Sequence, residues 1–81
     1  MTDEPSARLY LRDLGQLIKE MARDAKLDRD GSVGGSDQDL HLGRLMALHE
    51  VVSLMQEQAA AFGIDLRDLS LADIDPAEEL T

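Results

Sequence analysis

The residues of this 81-residue chain best suited to chemistry are its carboxylates, seventeen Asp and Glu against eight Lys and Arg, and its two histidines. One stretch places carboxylates in a pattern with a known use. If Lys26 is taken as the first position of a 12-residue calcium loop, Asp28 and Asp30 fall on the third and fifth, Gly31 on the invariant sixth and Asp37 on the twelfth. Val33 then occupies the apolar eighth. The first ligand, however, is a lysine, and the closing residue is aspartate where a bidentate glutamate normally sits. A cation there would lose a ligand and meet a positive charge. Asp28, Asp30 and Asp37 therefore make a degenerate metal-loop candidate that an ordinary Asp/Gly turn explains more simply.

His41 and His49, the latter beside Glu50, are the other candidate ligands or general bases. Eight positions separate the histidines, roughly 12 Å along a helix axis, which is too far for one ion without a second chain. Neither HExxH nor the paired ExxH of di-iron bundles is present. His49 is expected as a partly buried packing residue and His41 as an exposed one. Acid/base work by two carboxylates requires a pocket that sets their environments apart, and most acidic residues here fall in turns, in the C-terminal tail or away from the apolar stripes. Ser6, Ser32, Ser36, Ser53 and Ser70 lack a GxSxG elbow. No catalytic residue, cofactor or firm metal site is expected, and the chain reads as a non-enzyme.

The elements that carry these residues are helical. Apolar residues recur at three- and four-residue steps along Ala7, Leu11, Leu14, Ile18, Met21 and Ala25, and again along Leu45, Leu48, Val52, Met55, Ala59 and Phe62. This is the spacing of amphipathic helices sustained over about three heptads. Helix 1 is predicted over about 5–28, with Pro5 in the first turn and Asp3 and Glu4 at the positive end of the dipole. A flexible loop follows at about 29–35, around Gly31, Gly34 and Gly35. Helix 2 is predicted over about 36–62, opened by a capping-box-like pair, Ser36 and Asp39, and closed by Gly63 in a left-handed C′ conformation. Gly15, inside helix 1, costs about 1 kcal/mol relative to alanine unless close packing compensates.

The tail, 63–81, holds six acidic residues and one basic, whereas Pro5–Arg29 holds six basic and four acidic. Ile64, Leu66, Leu69, Leu71, Ile74 and Leu80 also recur through it. It is expected to form one or two short helical turns, starting near Ser70–Asp73 and Asp75–Glu78, and to fold back on the hairpin beside the basic first helix.

Composition narrows the partners. A net charge of −9 with only Tyr10 and Phe62 as aromatics supplies neither the basic surface nor the stacking platforms of a nucleic-acid binder. No run approaches the roughly 18 apolar residues of a membrane span, and the acidic start, Met1-Thr2-Asp3-Glu4-Pro5, is unlike a secretory signal. Cysteine is absent, which suits a reducing compartment. The reading is a cytoplasmic protein without nucleic-acid or membrane partners.

Together these features predict an all-α single domain over 1–81, an antiparallel two-helix hairpin with a short, partly helical tail. Tyr10, Leu17, Ala22, Leu42, Met46, Val51 and Leu54 lie outside the two seams, so the apolar faces are wider than one neighbouring helix covers. That width predicts a homodimer, two hairpins joined through a twofold axis as a four-helix bundle. The expected interface residues are Leu11, Leu14, Ile18, Met21, Leu45, Leu48, Val52, Met55 and Phe62. Met21, Met46 and Met55 also suit an adaptable binding surface. The function expected is a small protein-interaction module with an unknown protein partner, adaptor, regulator or chaperone-like. The second reading is a cation-responsive helix–loop–helix module using 26–37.

Overall fold

The computed structural model of the chain describes residues 4–81; the expectation for Asp3, and that for the side chain of Glu4, lie outside this description. Two long helices, α1 (Glu4–Gly31) and α2 (Gln38–Phe62), pack antiparallel, and the tail adds a 3₁₀ turn (Leu66–Leu69) and one further helical turn, α3 (Pro76–Glu79). Among the described residues there are no strands. The hairpin gives an elongated molecule of 48 × 22 × 18 Å, as expected for helices roughly 40 Å long.

Both long helices begin and end close to their predicted limits, with informative exceptions. α1 runs on to Gly31 because Asp30 is bound by Lys26, one turn earlier, at 3.1 Å and by Arg29 at 3.3 Å. These contacts place the carboxylate on cations and offset its unfavourable position at a helix C-terminus. The connection is an ordered turn, in which Ser32 N–H and Oγ–H both donate to the Arg29 carbonyl and Gly35 N–H to that of Ser32. The expected Ser36–Asp39 capping box does not form. Asp37 occupies the N-cap without a side-chain cap bond, and Gln38 instead reaches back, its Oε1 accepting from Gly34 N–H at 2.7 Å. Gly63 takes the left-handed conformation at φ 68°, as its sequence position predicts, and its N–H caps the Ala59 and Ala60 carbonyls.

The core runs along the hairpin seam and continues under the tail: Ala22, Ala25, Leu45, Val52 and Ala59 are joined by Leu69, Leu71, Ile74 and Leu80. Ile18, Leu48 and Met55 flank it, half-buried. This corrects the seam expected from periodicity on α1. The most buried α1 positions are Gly15, Lys19, Ala22 and Ala25, whereas Leu11 and Met21 are exposed, as is Phe62 at the end of α2, at 76%. The cause is the tail. It packs against both α1 and α2 as a third element, so the buried sector of α1 is turned toward Gly15 and Lys19 and away from Leu11 and Met21. Small residues at 15, 22 and 25 allow that close approach.

The tail's local structure also departs from expectation in its first half. The turn begins at Leu66, capped by the Asp65 carboxylate accepting from Arg67 N–H at 2.9 Å, and Ser70 closes it at φ 57°. Ser70 is thus an end and not a start. The second half follows the sequence: Asp75 caps α3, accepting from Ala77 N–H, with Pro76 at the first helical position.

Candidate interaction surface

The hairpin has two broad sides, and the tail occupies one. On α1 that side is a basic stripe. Lys19 Nζ donates to Asp73 Oδ1 at 2.7 Å, Arg23 binds the Asp73 carbonyl and the Glu79 carboxylate, and Lys26 Nζ donates to the Thr81 main-chain oxygen. Lys19 is only 5% exposed, so its ammonium is stabilised by a partner that itself stands in solvent. The Lys19 hydrogen bond in turn holds the Asp73 carboxyl below the usual carboxylate range. On α2, Gln56 Nε2 donates to the Leu71 and Ile74 carbonyls at 3.1 and 2.9 Å, and His49 Nδ1–H donates to the Leu80 carbonyl at 3.0 Å. The tail therefore docks on both helices through its main chain as well as its carboxylates.

The other side of the hairpin is open. A helix advances about 100° per residue. On α1, Tyr10, Leu14, Leu17 and Met21 form a stripe roughly half a turn from the Lys19–Arg23 stripe. On α2, Leu40, Ala47, Val51 and Leu54 form one roughly half a turn from His49 and Gln56. Because the tail touches both helices from one side, these two stripes share the opposite side. Leu40, Tyr10, Leu54, Leu17, Met21 and Val51 are all exposed there, from 71% for Leu40 to 40% for Val51, with Leu14, Leu48 and Met55 half-buried between them. The strip measures roughly 33 Å by 15–20 Å, on the order of 600 Å², at the upper end of the apolar patches found on ordinary monomers.

Its borders are acidic. Asp13, Glu20 and Asp24 follow the outer edge of the α1 stripe, and Asp39, Glu50 and Glu57 follow that of α2; all six are exposed. Among the described residues the basic side chain on this side is Arg44, held by Asp28 at 3.1 Å across the two helices. On α1, Lys19, Arg23 and Lys26 are turned to the tail.

The remaining sequence candidates are dispersed. Asp28 and Asp30 lie within α1 on Arg44, Lys26 and Arg29, while Asp37 stands at the start of α2. The first half of the 26–37 loop is thus helical, and among the described residues no three His, Cys, Asp or Glu side chains gather as a cation cage. His41 is half-buried, contrary to the exposed position expected, and His49 is half-buried as expected. A cleft of about 520 Å³ opens between the first turns of α1 and the 3₁₀ turn, lined by Leu11, Ile64 and Leu69 with Arg8, Asp65 and Asp68. Its Asp65 is already engaged by Arg67 at 2.7 Å and is held down to about 2 chiefly by that hydrogen bond.

Of the expected interface residues, Leu45 and Val52 belong to the core, Ile18, Leu48 and Met55 pack against it, Leu14 is half-buried, and Leu11, Met21 and Phe62 are exposed, Leu11 in the cleft beside the 3₁₀ turn. Sequence reasoning missed Gln56 as a docking residue. Its only signal was an amide beside the apolar seam. Comparison with known proteins returned no match: no family model, no curated protein and no solved structure resembles the chain. Among the described residues no helix is long and apolar enough to cross a membrane.

Proposed function

We propose that this chain is a small acidic, non-enzymatic protein-interaction module, adaptor, regulator or chaperone-like in role, and that the open side of the hairpin is its working surface. The observation that carries this reading is the asymmetry of the two sides. The tail covers one side with four core side chains and several hydrogen bonds, while the other keeps an apolar strip in water, crossed near its Leu40 end by the Arg44–Asp28 pair. Leaving such a strip wet forgoes about 25 cal/mol per Å², and patches of this size are often functional.

In the simplest assembly two copies meet through a twofold axis with their open sides opposed, a four-helix bundle. The strip is somewhat smaller than the ~800 Å² per partner of a standard interface, so this homodimer is expected to be weak and concentration-dependent. Sedimentation equilibrium at several concentrations tests it. A mass rising toward twice 8.9 kDa is expected, with Leu54→Glu holding the chain at the monomer mass. A wild-type mass that stays at one chain ends the homodimer. The cation-responsive reading gains nothing from the loop geometry, in which each of Asp28 and Asp30 is bound to a basic side chain.

A further inference from the structure

An apolar strip between two acidic borders selects its occupant by charge. A second copy brings the same borders, so opposing two open sides places Asp13, Glu20 and Asp24 of one chain near carboxylates of the other. Like charges brought within a Debye length of about 10 Å repel, and their juxtaposition disfavours association. Lys19, Arg23 and Lys26 of α1 offer no relief, because they are committed to the tail on the far side, and Arg44 on the open side is bound by Asp28 of its own chain. The asymmetry is built into the helix. Its cations recur on the tail-facing stripe, and its carboxylates on the border of the open one.

Resting on the interaction-module reading above, we infer that the open side is the docking surface for a cationic amphipathic helix of another protein. Such a helix lays its apolar face on Tyr10, Leu17, Met21, Val51 and Leu54 as helix-in-groove partners do, and its flanking Lys and Arg meet the two carboxylate borders. The strip's length corresponds to about six turns, a helix of about 20 residues. The homodimer is then the resting occupant, which the cationic helix displaces because only the latter turns the borders from repulsive to attractive.

The test uses the full chain, isotopically labelled, and three designed helical peptides of about that length. One has a Leu stripe flanked by Lys, the second replaces each Lys with Glu, and the third scrambles the first so that charge is kept and amphipathicity lost. The Lys peptide is expected to bind with amide shifts concentrated on the α1 and α2 stripes, at least about tenfold more tightly than the Glu or scrambled peptide, and more weakly as salt rises. A Glu20→Gln, Glu50→Gln, Glu57→Gln variant, altered only on the exposed borders, is expected to lose several-fold of that affinity. Equal binding of Lys and Glu peptides overturns the charge selection while leaving the apolar surface standing. Shifts confined to the acidic tail, or equal binding of the scrambled peptide, overturn the proposed site. If no peptide binds and the chain remains dimeric, the second copy is the occupant and the inference fails. If no peptide binds and the chain is monomeric, the interaction-module reading fails with it.

Discussion

Gly15 of α1 lies so close to the Leu69 carbonyl that a Cβ built on it stands 1.7 Å from the oxygen. A side chain of any size is excluded at that crossing, and the tail's 3₁₀ turn can reach the core only because position 15 has none. Leu69 then buries its own side chain, and Ser70 Oγ–H donates to the Arg12 carbonyl at 3.0 Å one turn earlier on α1.

Gly15→Ala is therefore expected to destabilise the chain although alanine is the better helix former. The displaced backbone carbonyl cannot rotate away as a side chain would, and overpacking of this kind costs about 1–3 kcal/mol. Gly43→Ala is the control, because Gly43 lies in α2 with nothing within 4 Å of its would-be Cβ. That substitution is expected to stabilise by about 0.5–1 kcal/mol. Urea denaturation of the pair checks both signs, and a gain from Gly15→Ala would deny the close crossing.

Gln56→Leu removes the one side-chain amide that serves two tail carbonyls. Keeping an apolar side chain of similar volume there isolates the hydrogen bonds, whose loss is expected to cost about 1–3 kcal/mol if the carbonyls stay buried. Native-state hydrogen exchange should show the loss concentrated in residues 66–80, with the hairpin centre little changed. Uniform loss along both helices would mean that the tail and hairpin unfold as one unit.

Val52→Asp places a carboxylate where the wild-type side chain is fully buried. Burying an unpaired charge ranks among the most destabilising changes, and loss of more than about 3 kcal/mol is expected. Chemical denaturation reads it, and agreement with the parent within about 0.5 kcal/mol would contradict the core assignment.

Acid should release the tail before it melts the hairpin. The Lys19 hydrogen bond lowers the folded pKa of Asp73, and the Arg67 hydrogen bond lowers that of Asp65 to about 2, against about 3.9 for an unfolded aspartate. A depressed folded pKa contributes stability that is complete above the unfolded value and disappears as pH falls through the folded one. The Asp65 contribution is thus lost between about pH 4 and pH 2, and that of Asp73 from about pH 4 downward. Melting curves followed by circular dichroism across this range should show a falling Tm, and Asp73→Asn should flatten part of the fall. High salt should lower the neutral-pH Tm in the same direction, since these carboxylates are exposed to screening ions.

Truncation after Gly63 removes Leu69, Leu71, Ile74 and Leu80, four of the nine buried apolar side chains among the described residues. It also strips Lys19 of its partner while withdrawing its cover. A large fall in Tm with loss of cooperativity is expected, and an unchanged melting curve at low and high salt would rule out tail docking in solution.

The sequence by itself determined the elements. The three- and four-residue apolar spacing, Pro5, the glycine-rich break, Gly63 and the Asp75-Pro76 pair set both long helices and α3, because each acts through local backbone geometry or helix periodicity. The acidic tail opposite a basic first helix was likewise legible, and Lys19 and Arg23 do meet Asp73 and Glu79. Only the tertiary structure decided which sector of α1 is buried. A 3.6-residue period fixes which residues share a stripe, but several stripes of α1 are apolar enough to pack, and the choice among them depends on where a third element sits. That element docks through main-chain carbonyls of Leu69, Leu71, Ile74 and Leu80, groups common to every residue, so no side-chain pattern announces them. Gly15 and Gln56, whose roles are complementary to those carbonyls, acquire meaning only once the tail is in place, and with it the open, acid-bordered side left on the far face of the hairpin.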